Sequence, residues 1–446
     1  MRFIETIKNI WAVEELRKRI LVTLFFVIIY RLGTYIVIPG IDPKTLTALS
    51  QQTESGLLAL MDMFSGGAFS NASIFALGIM PYISASIVMQ LAAIVVPSMQ
   101  KLQHEGESGR RKIDQWTRYL TVILLLVQGP GFLVNLQHQI ARAGGVAPEG
   151  IGFMVFATII MAAGSMFVLW LGERITDKGL GNGVSIIIMI GIISRLPGAF
   201  LGELSSRLSE TAGGLVYMLV EILIMLVVIG GAILLVQGAR RGPVQYAKRV
   251  VGNKQYGGAR QYIPLKVNAA NVMPIIFAQA IMMLPIMLGG LSSTAQESPV
   301  FHAMSDVNGF WYNFVVALLI LIFTYFYTAI TINPQQMAED LKRNNGFIPG
   351  VKPGKATANF ISTIMERITL PGAIFLALVA ILPAFARMAG VNHAFAQFFG
   401  GTSLLILVGV VLDTLQQIES HLLNRHYDGL LKTGRIKGRS GSVSAY

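Results

Sequence analysis

The chain has 446 residues, of which 53% are hydrophobic and only 13% charged, with a mean hydropathy of +0.61. A soluble globular domain carries about 25% charged residues, so this composition points away from a soluble enzyme and towards a polytopic membrane protein. It contains no cysteine, which excludes disulfides and thiol chemistry, and its net charge of +12 is informative mainly through where the charges fall.

Residues 1–19 do not form a cleavable signal, because the apolar run is interrupted by Glu14, Glu15 and a basic cluster with no small-residue cleavage site after it. They predict an amphipathic helix on the cytoplasmic surface of the membrane. Ten spans follow, at approximately 20–38, 72–96, 117–136, 151–172, 183–200, 214–237, 271–290, 311–332, 370–386 and 402–422. With that division, 29 of the 35 Lys and Arg lie before the first span, in alternate loops, or in the tail. The positive-inside rule then puts both termini in the cytoplasm. Arg31 lies in the outer half of span one, where a charge is expected to snorkel to the headgroups.

The stretch from Gly56 to Pro97 is apolar enough for a membrane but broken twice, by Gly66-Gly67 with Ser70-Asn71 and by Pro81. A simple anchor needs about 20 uninterrupted apolar residues. Irregular backbone at membrane depth is tolerated only where protein buries it or a watery cavity adjoins it. The stretch predicts a half-helix, a hinge and a spanning helix beside a pathway. The loop after it carries Arg110-Arg111-Lys112, whose plainest role is to fix topology and bind anionic lipid. Gln128 in span three and the small-residue patch Ala162-Ala163-Gly164-Ser165 in span four predict interhelical hydrogen bonding and close helix packing.

Gly179, Gly181 and Gly183 resemble a nucleotide-binding loop only superficially, since no strand precedes them and no βαβ unit follows. Asn182 and these glycines predict a helix start. The loop 239–268 is basic and interleaved with Tyr246, Tyr256 and Tyr262, a composition that suits RNA, an acidic protein or the lipid surface. Val250-Val251 between Gly252-Asn253, Gly257-Gly258 and their neighbours predicts a short projecting hairpin. Span seven is irregular again, with Pro274 and Pro285. The second cytoplasmic loop, 333–368, is rich in turns and predicts a helix across 355–368.

Ten spans divide into five and five. Because five is odd, the halves 20–200 and 201–424 must have opposite orientations, with residues 425–446 left as a cytoplasmic tail. Pro81 and Pro274 both fall in the second span of their half, and corresponding irregular helices mark the pathway. No catalytic motif or metal cluster is evident, so no catalytic, metal or cofactor site is expected. Asp62 and Asp413 are the main acidic residues near membrane depth, thin material for an ion-coupled transporter. A solute transporter and a poreless membrane subunit are therefore the weaker alternatives to a passive channel.

Seven stretches together resemble the SecY family, the central channel subunits of the bacterial Sec protein translocase. They are MFSGGAFSNASIFALGIMPYISASIVMQL (63–91), EGESGRRKI (105–113), GLGNGVSIII (179–188), YAKR (246–249), PLKVNAANVMPIIF (264–277), NPQQMAEDLKRNNGFIPGVKPG (333–354) and GGTSLLILVGVVLD (400–413). The resemblance implies an all-α polytopic fold of two inverted five-helix halves around a pore in the plasma membrane, and a function in passing unfolded polypeptides across it or releasing them sideways into lipid. It implies a plug at 57–67, comprising Leu57, Leu58, Leu60, Met61, Met63, Phe64, Gly66 and Gly67. It implies a pore ring of Ile79, Ile83, Ile188, Ile276 and Ile406, with Val184 and Ile192 nearby. Branched aliphatic side chains offer a sliding chain no hydrogen bonds, and when they meet they dewet the constriction. Spans two and seven would form a lateral gate, with Gln90 and Gln128 supplying polar contacts. Arg240, Arg241, Lys248 and Arg249 in the first loop, and Lys342, Arg343, Lys352 and Lys355 in the second, would dock the SecA motor ATPase and the translating ribosome. The family usually has an arginine where this chain has Lys352, which keeps the charge but loses the planar fork. Separate SecE and SecG subunits, signal sequences and secretory precursors complete the implied partners.

Overall fold

The computed structural model describes residues 11, 13–41, 62–142, 150–209, 214–246, 249–251, 254–256, 260–270, 272–289, 299, 303, 306 and 309–432. Helices dominate. In chain order they are α1 (Glu14–Gly33), α2 (Met80–Val95), α3 (Pro97–His104), α4 (Glu107–Arg142), α5 (Ile151–Lys178), α6 (Gly183–Ser209) and α7 (Gly214–Gln237) in the first part. The second part has α8 (Met273–Gly289), α9 (Phe310–Thr331), α10 (Pro334–Arg343), α11 (Lys355–Met388), α12 (His393–Ala396) and α13 (Gly401–Lys432). Among the described residues, seven helical segments are long and apolar enough to cross a membrane. The three other predicted spans correspond to α1, α2 and α8, which have 20, 16 and 17 residues.

The differences from the predicted boundaries have local causes. α1 begins at Glu14 rather than residue 20, because the Glu14–Lys18 and Glu15–Arg19 pairs extend the helix back through the basic cluster. Residues 14–19 are thus continuous with the first span rather than a separate surface helix. α2 begins at Met80, not at 72, and Pro81 does not break it. Proline at the first turn removes an N–H that has no helical partner anyway. α8 starts in the same way, at Met273-Pro274. The residues before α2 run as turns from 65 to 79, with left-handed φ at Gly66, Gly67, Ala72 and Gly78. Val37 and Ser73 form a β-bridge that ties these turns to the chain leaving α1. The helix predicted across 355–368 is the first third of α11, which continues through Pro371 and Pro383 into span nine.

Asn182 caps α6, its side-chain oxygen accepting from the N–H groups of Val184 and Ser185 at 3.1 and 3.3 Å. Gly183 lies against α5, where an added Cβ would stand 1.9 Å from the Gly172 carbonyl oxygen. The glycine cluster therefore serves helix packing.

The basic loop after α7 folds as strands. β1 (Ala239–Tyr246) and β4 (Arg260–Lys266) pair antiparallel, and β2 (Arg249–Val251) with β3 (Lys254–Tyr256) forms the hairpin expected from the Val-Val motif. A fifth strand, β5 (Gly346–Phe347), comes from the second loop and pairs with β1 at Gln245 and Tyr246. The sheet order β4-β1-β5 thus joins both loops. Beneath it Val244, Leu265, Leu341, Ile348, Ile361, Ile364 and Met365 make a separate small core.

Across the two halves, α2 packs against α8 and α6 against α13. These are spans two with seven and five with ten, the counterparts in a five-plus-five division. Counterparts meeting each other is what a two-fold axis in the membrane plane produces for inverted repeats.

Candidate functional site

The broken stretch has two surfaces. Its apolar one is carried by Met63 and Phe64, 2% and 6% exposed, in the helical turn 62–64. Both belong to a single buried cluster with Ile79, Ile188, Ile192 and Ile406, and the half-buried Ile83, Ile276 and Val184 pack against it. The five predicted ring isoleucines, from α2 and the turn before it, α6, α8 and α13, are therefore gathered in one cluster beside Met63 and Phe64. Leu57, Leu58, Leu60 and Met61 lie outside the described residues.

The polar surface of the stretch is met by other helices. Asp62 is buried, pairs with Arg195 of α6, and accepts from the Ser70 N–H at 2.7 Å. Arg31 of α1 donates to the Gly66 carbonyl at 2.8 Å and Tyr30 to the Ser65 carbonyl at 3.0 Å. Arg31 is thus bonded to the broken stretch rather than only reaching for headgroups. Gly66 has φ 65°, and a Cβ there would come within 2.9 Å of the Gly191 Cα, so the turn lies directly against the α6 backbone. Sequence reasoning missed the Asp62–Arg195 pair. The available signal was a cation inside predicted span five, which at membrane depth needs an opposite charge. Asp413, the other acidic candidate for ion coupling, is exposed on α13.

A second buried charge cluster went unforeseen. Arg207 bonds Glu203 at 2.8 Å and Glu221 at 2.6 Å, and also donates to the Gly390 carbonyl at 2.9 Å. The Asn392 N–H donates to Glu203 at 2.9 Å. These bonds fasten α6 and α7 to the connection between α11 and α13.

At the α2–α8 seam, Gln90 is exposed and donates to Ser86 of its own helix at 3.2 Å. Gln128 is half-buried on α4, the neighbour of α2, and so stands one helix away from the seam itself. Gln279 of α8, which sequence reasoning passed over, donates to Thr402 of α13 at 3.0 Å. On the unit formed by the two loops, Arg240, Arg241, Lys342, Arg343, Lys352 and Lys355 are all exposed. Arg249 lies in β2, and Lys248 lies outside the described residues. Among the described residues, no group of three or more His, Cys, Asp or Glu could hold a metal ion.

The arrangement comprises an apolar cluster with a short segment against it, a helix seam on one side, and a unit of two loops with exposed basic residues. The sequence profile of the family described as SecY matches residues 73–415. The Protein translocase subunit SecY of Streptomyces scabiei is 43% identical over 429 residues, covering 94% of this chain and 97% of that protein. The subunit of the same name from Thermotoga maritima is 39% identical over 446 residues, covering 98% and 99%. Among solved structures, a protein-conducting channel superimposes with a TM-score of 0.60 at 18% identity, covering 95% of each chain. A SecY channel described with a plug domain that stabilises its closed state gives 0.62 at 18% identity, again covering 95% of each. Sec61 from a canine ribosome-channel complex gives 0.57 at 16% identity, with 95% of each chain covered.

Proposed function

The chain belongs to the SecY family, and on that premise we propose that it is the central pore of a bacterial plasma-membrane translocon in its resting, sealed form. As a member of that family it is a protein-conducting channel subunit in a multi-pass membrane protein. The proposal assigns parts to that activity. Ile79, Ile83, Ile188, Ile276 and Ile406 form the constriction, and residues 57–67 are the plug that rests against it. Spans two and seven, α2 and α8, part to let a signal sequence or membrane segment reach lipid.

The observation that carries this reading is the convergence of all five isoleucines on one buried cluster with Met63 and Phe64. Branched aliphatic side chains can close around a moving chain without binding it, and they exclude water when the chain is gone. A seam held by few polar bonds suits a gate, since each is worth roughly 1 kcal/mol in a membrane. The ten predicted spans all cross in this reading, with both termini cytoplasmic. Unfolded chains enter from the side that carries the basic platform, and the driving energy comes from partners. SecA or the translating ribosome would dock on the exposed cations of the two loops, SecE and SecG would complete the assembly, and anionic lipid would neutralise Arg110, Arg111 and Lys112.

The test is site-specific cross-linking. A secretory precursor stalled in the channel should cross-link to photoreactive probes at positions 83, 188, 276 and 406, and not to a lipid-facing probe at Leu223 of α7. Equal labelling at all five positions would defeat the assignment of the ring.

A further inference from the structure

Apolar contact alone does not fix how the plug segment sits. Burial of Met63 and Phe64 is favourable but non-directional, so it tolerates sliding and rotation. Directional contacts lie on the other surface, and among the described residues they come from α1 and α6. Arg195 of α6 pairs with the buried Asp62 carboxylate and also donates to Ser70 Oγ at 3.0 Å. One guanidinium therefore holds both ends of the turn from 62 to 70. From α1, Arg31 holds the Gly66 carbonyl at 2.8 Å, midway along the same turn. Charge-assisted hydrogen bonds of this kind are roughly twice as strong as neutral ones.

We infer that Arg195 and Arg31 are positioning residues of the gate, a two-armed clamp that keeps the plug segment seated and sets the resting leak of the channel. The inference rests on the plug reading above and deepens it. The Asp62 carboxylate is 1% exposed, so it cannot exchange the guanidinium for water while the segment stays in place. A buried charge that loses its partner is strongly unfavourable. Leaving the site therefore requires the ion pair to break as the carboxylate reaches water, which makes unseating an all-or-none event rather than a gradual loosening. Gly66 and Gly67 supply the left-handed turn that points the Gly66 carbonyl at Arg31, and the absent Cβ at Gly66 lets the turn approach α6 closely.

The experiment uses the full translocon in planar bilayers without precursor. Asp62→Asn is isosteric and keeps an acceptor for the Ser70 N–H, so it reads the charge alone. It and Arg195→Gln should each raise resting open probability about tenfold, and the double variant should rise no further than either single. Arg195→Lys, which keeps the charge, should stay nearer the wild type. Arg31→Gln should add its own increase, because its arm is independent. Wild-type open probability in both Asp62→Asn and Arg195→Gln, with assembly confirmed, overturns the clamp. So does a double variant whose effects multiply. Deletion of residues 57–67 separates the two ideas. If the deletion raises conductance but the single variants do not, only the clamp fails. If the deletion changes nothing, the plug reading fails and takes the clamp with it.

Discussion

His393, at the start of α12, is a side chain governed by burial more than by pairing. Burial pushes its pKa down from the ordinary 6.5 to about 4, and the nearby Arg387 charge adds to the fall. The imidazole is therefore neutral in the folded protein across the physiological range. An unfolded chain takes up a proton below about pH 6.5, whereas the folded one resists until about pH 4. The unfolded state thus binds more protons in that window, and stability is lost as pH falls through it. Replacing His393 by Gln removes the titration but keeps a polar amide. The thermal midpoint of the variant, relative to wild type, should therefore rise as pH is lowered from 7.5 to 5. A difference that stays flat with pH would refute the assignment. At this scale the five isoleucines that the sequence singled out lie in or against one buried cluster. The isoleucines stand in continuous aliphatic runs, and the family motifs mark them. The ionic partners of Asp62 and Glu221 were not legible, because Arg195 and Arg207 reach them through tertiary packing that no spacing encodes, whereas Glu203 and Arg207 stand four apart on one helix, a spacing that sequence reasoning passed over.

Among the elements, the two prolines teach the same lesson twice. Pro81 and Pro274 were rightly singled out, but as breaks inside helices, whereas each occupies the first turn of its helix. The irregularity lies in the turns before α2, from 65 to 79. The joining of the loops 239–268 and 333–368 was also beyond reach, since β5 has two residues and no periodicity to detect. Its consequence is mechanical. Val244 is 1% exposed and sits in a small core with Leu341, Ile348 and Ile361 of the second loop. Val244→Ala removes two methyl groups from that core and should cost roughly 2 kcal/mol. Both loops should then become sensitive to protease together, on the same time course, with the spanning helices unaffected. Sensitivity confined to residues 239–268 would mean that the loops are independent arms. If they are one unit, the exposed cations Arg240, Arg241, Lys342, Arg343, Lys352 and Lys355 belong to one body, and a partner docking there as proposed would contact both halves of the chain.

For the whole molecule, charge distribution and pairing of counterpart spans point to the same architecture. Lys and Arg crowd one side, and span two meets seven as five meets ten. In the second half, α8 is the predicted span outside the seven long apolar helices, yet inverted symmetry requires it to cross. A chain without cysteine allows a clean test. Ser108, Ser205 and Thr363 are exposed, and each can be replaced singly by Cys and probed with a membrane-impermeant maleimide. α4, α5 and α6 lie between Ser108 and Ser205, so these two positions should react from opposite sides, Ser108 from the cytoplasm. Between Ser205 and Thr363 lie α7, α8 and α9, and three crossings return the chain to the cytoplasm. Thr363→Cys should therefore react only from the cytoplasmic side. If α8 merely dipped into the bilayer and returned, the number of crossings would be even and Thr363→Cys would react from outside together with Ser205→Cys. That outcome would also move Lys342, Arg343, Lys352 and Lys355 to the outer face, apart from Arg240 and Arg241. The β1–β5 pairing at Gln245 and Tyr246 forbids such a separation, because one sheet cannot have strands on both sides of a membrane. With both loops held on one side by that pairing, α8 carries the chain across the bilayer, as the five-plus-five division requires.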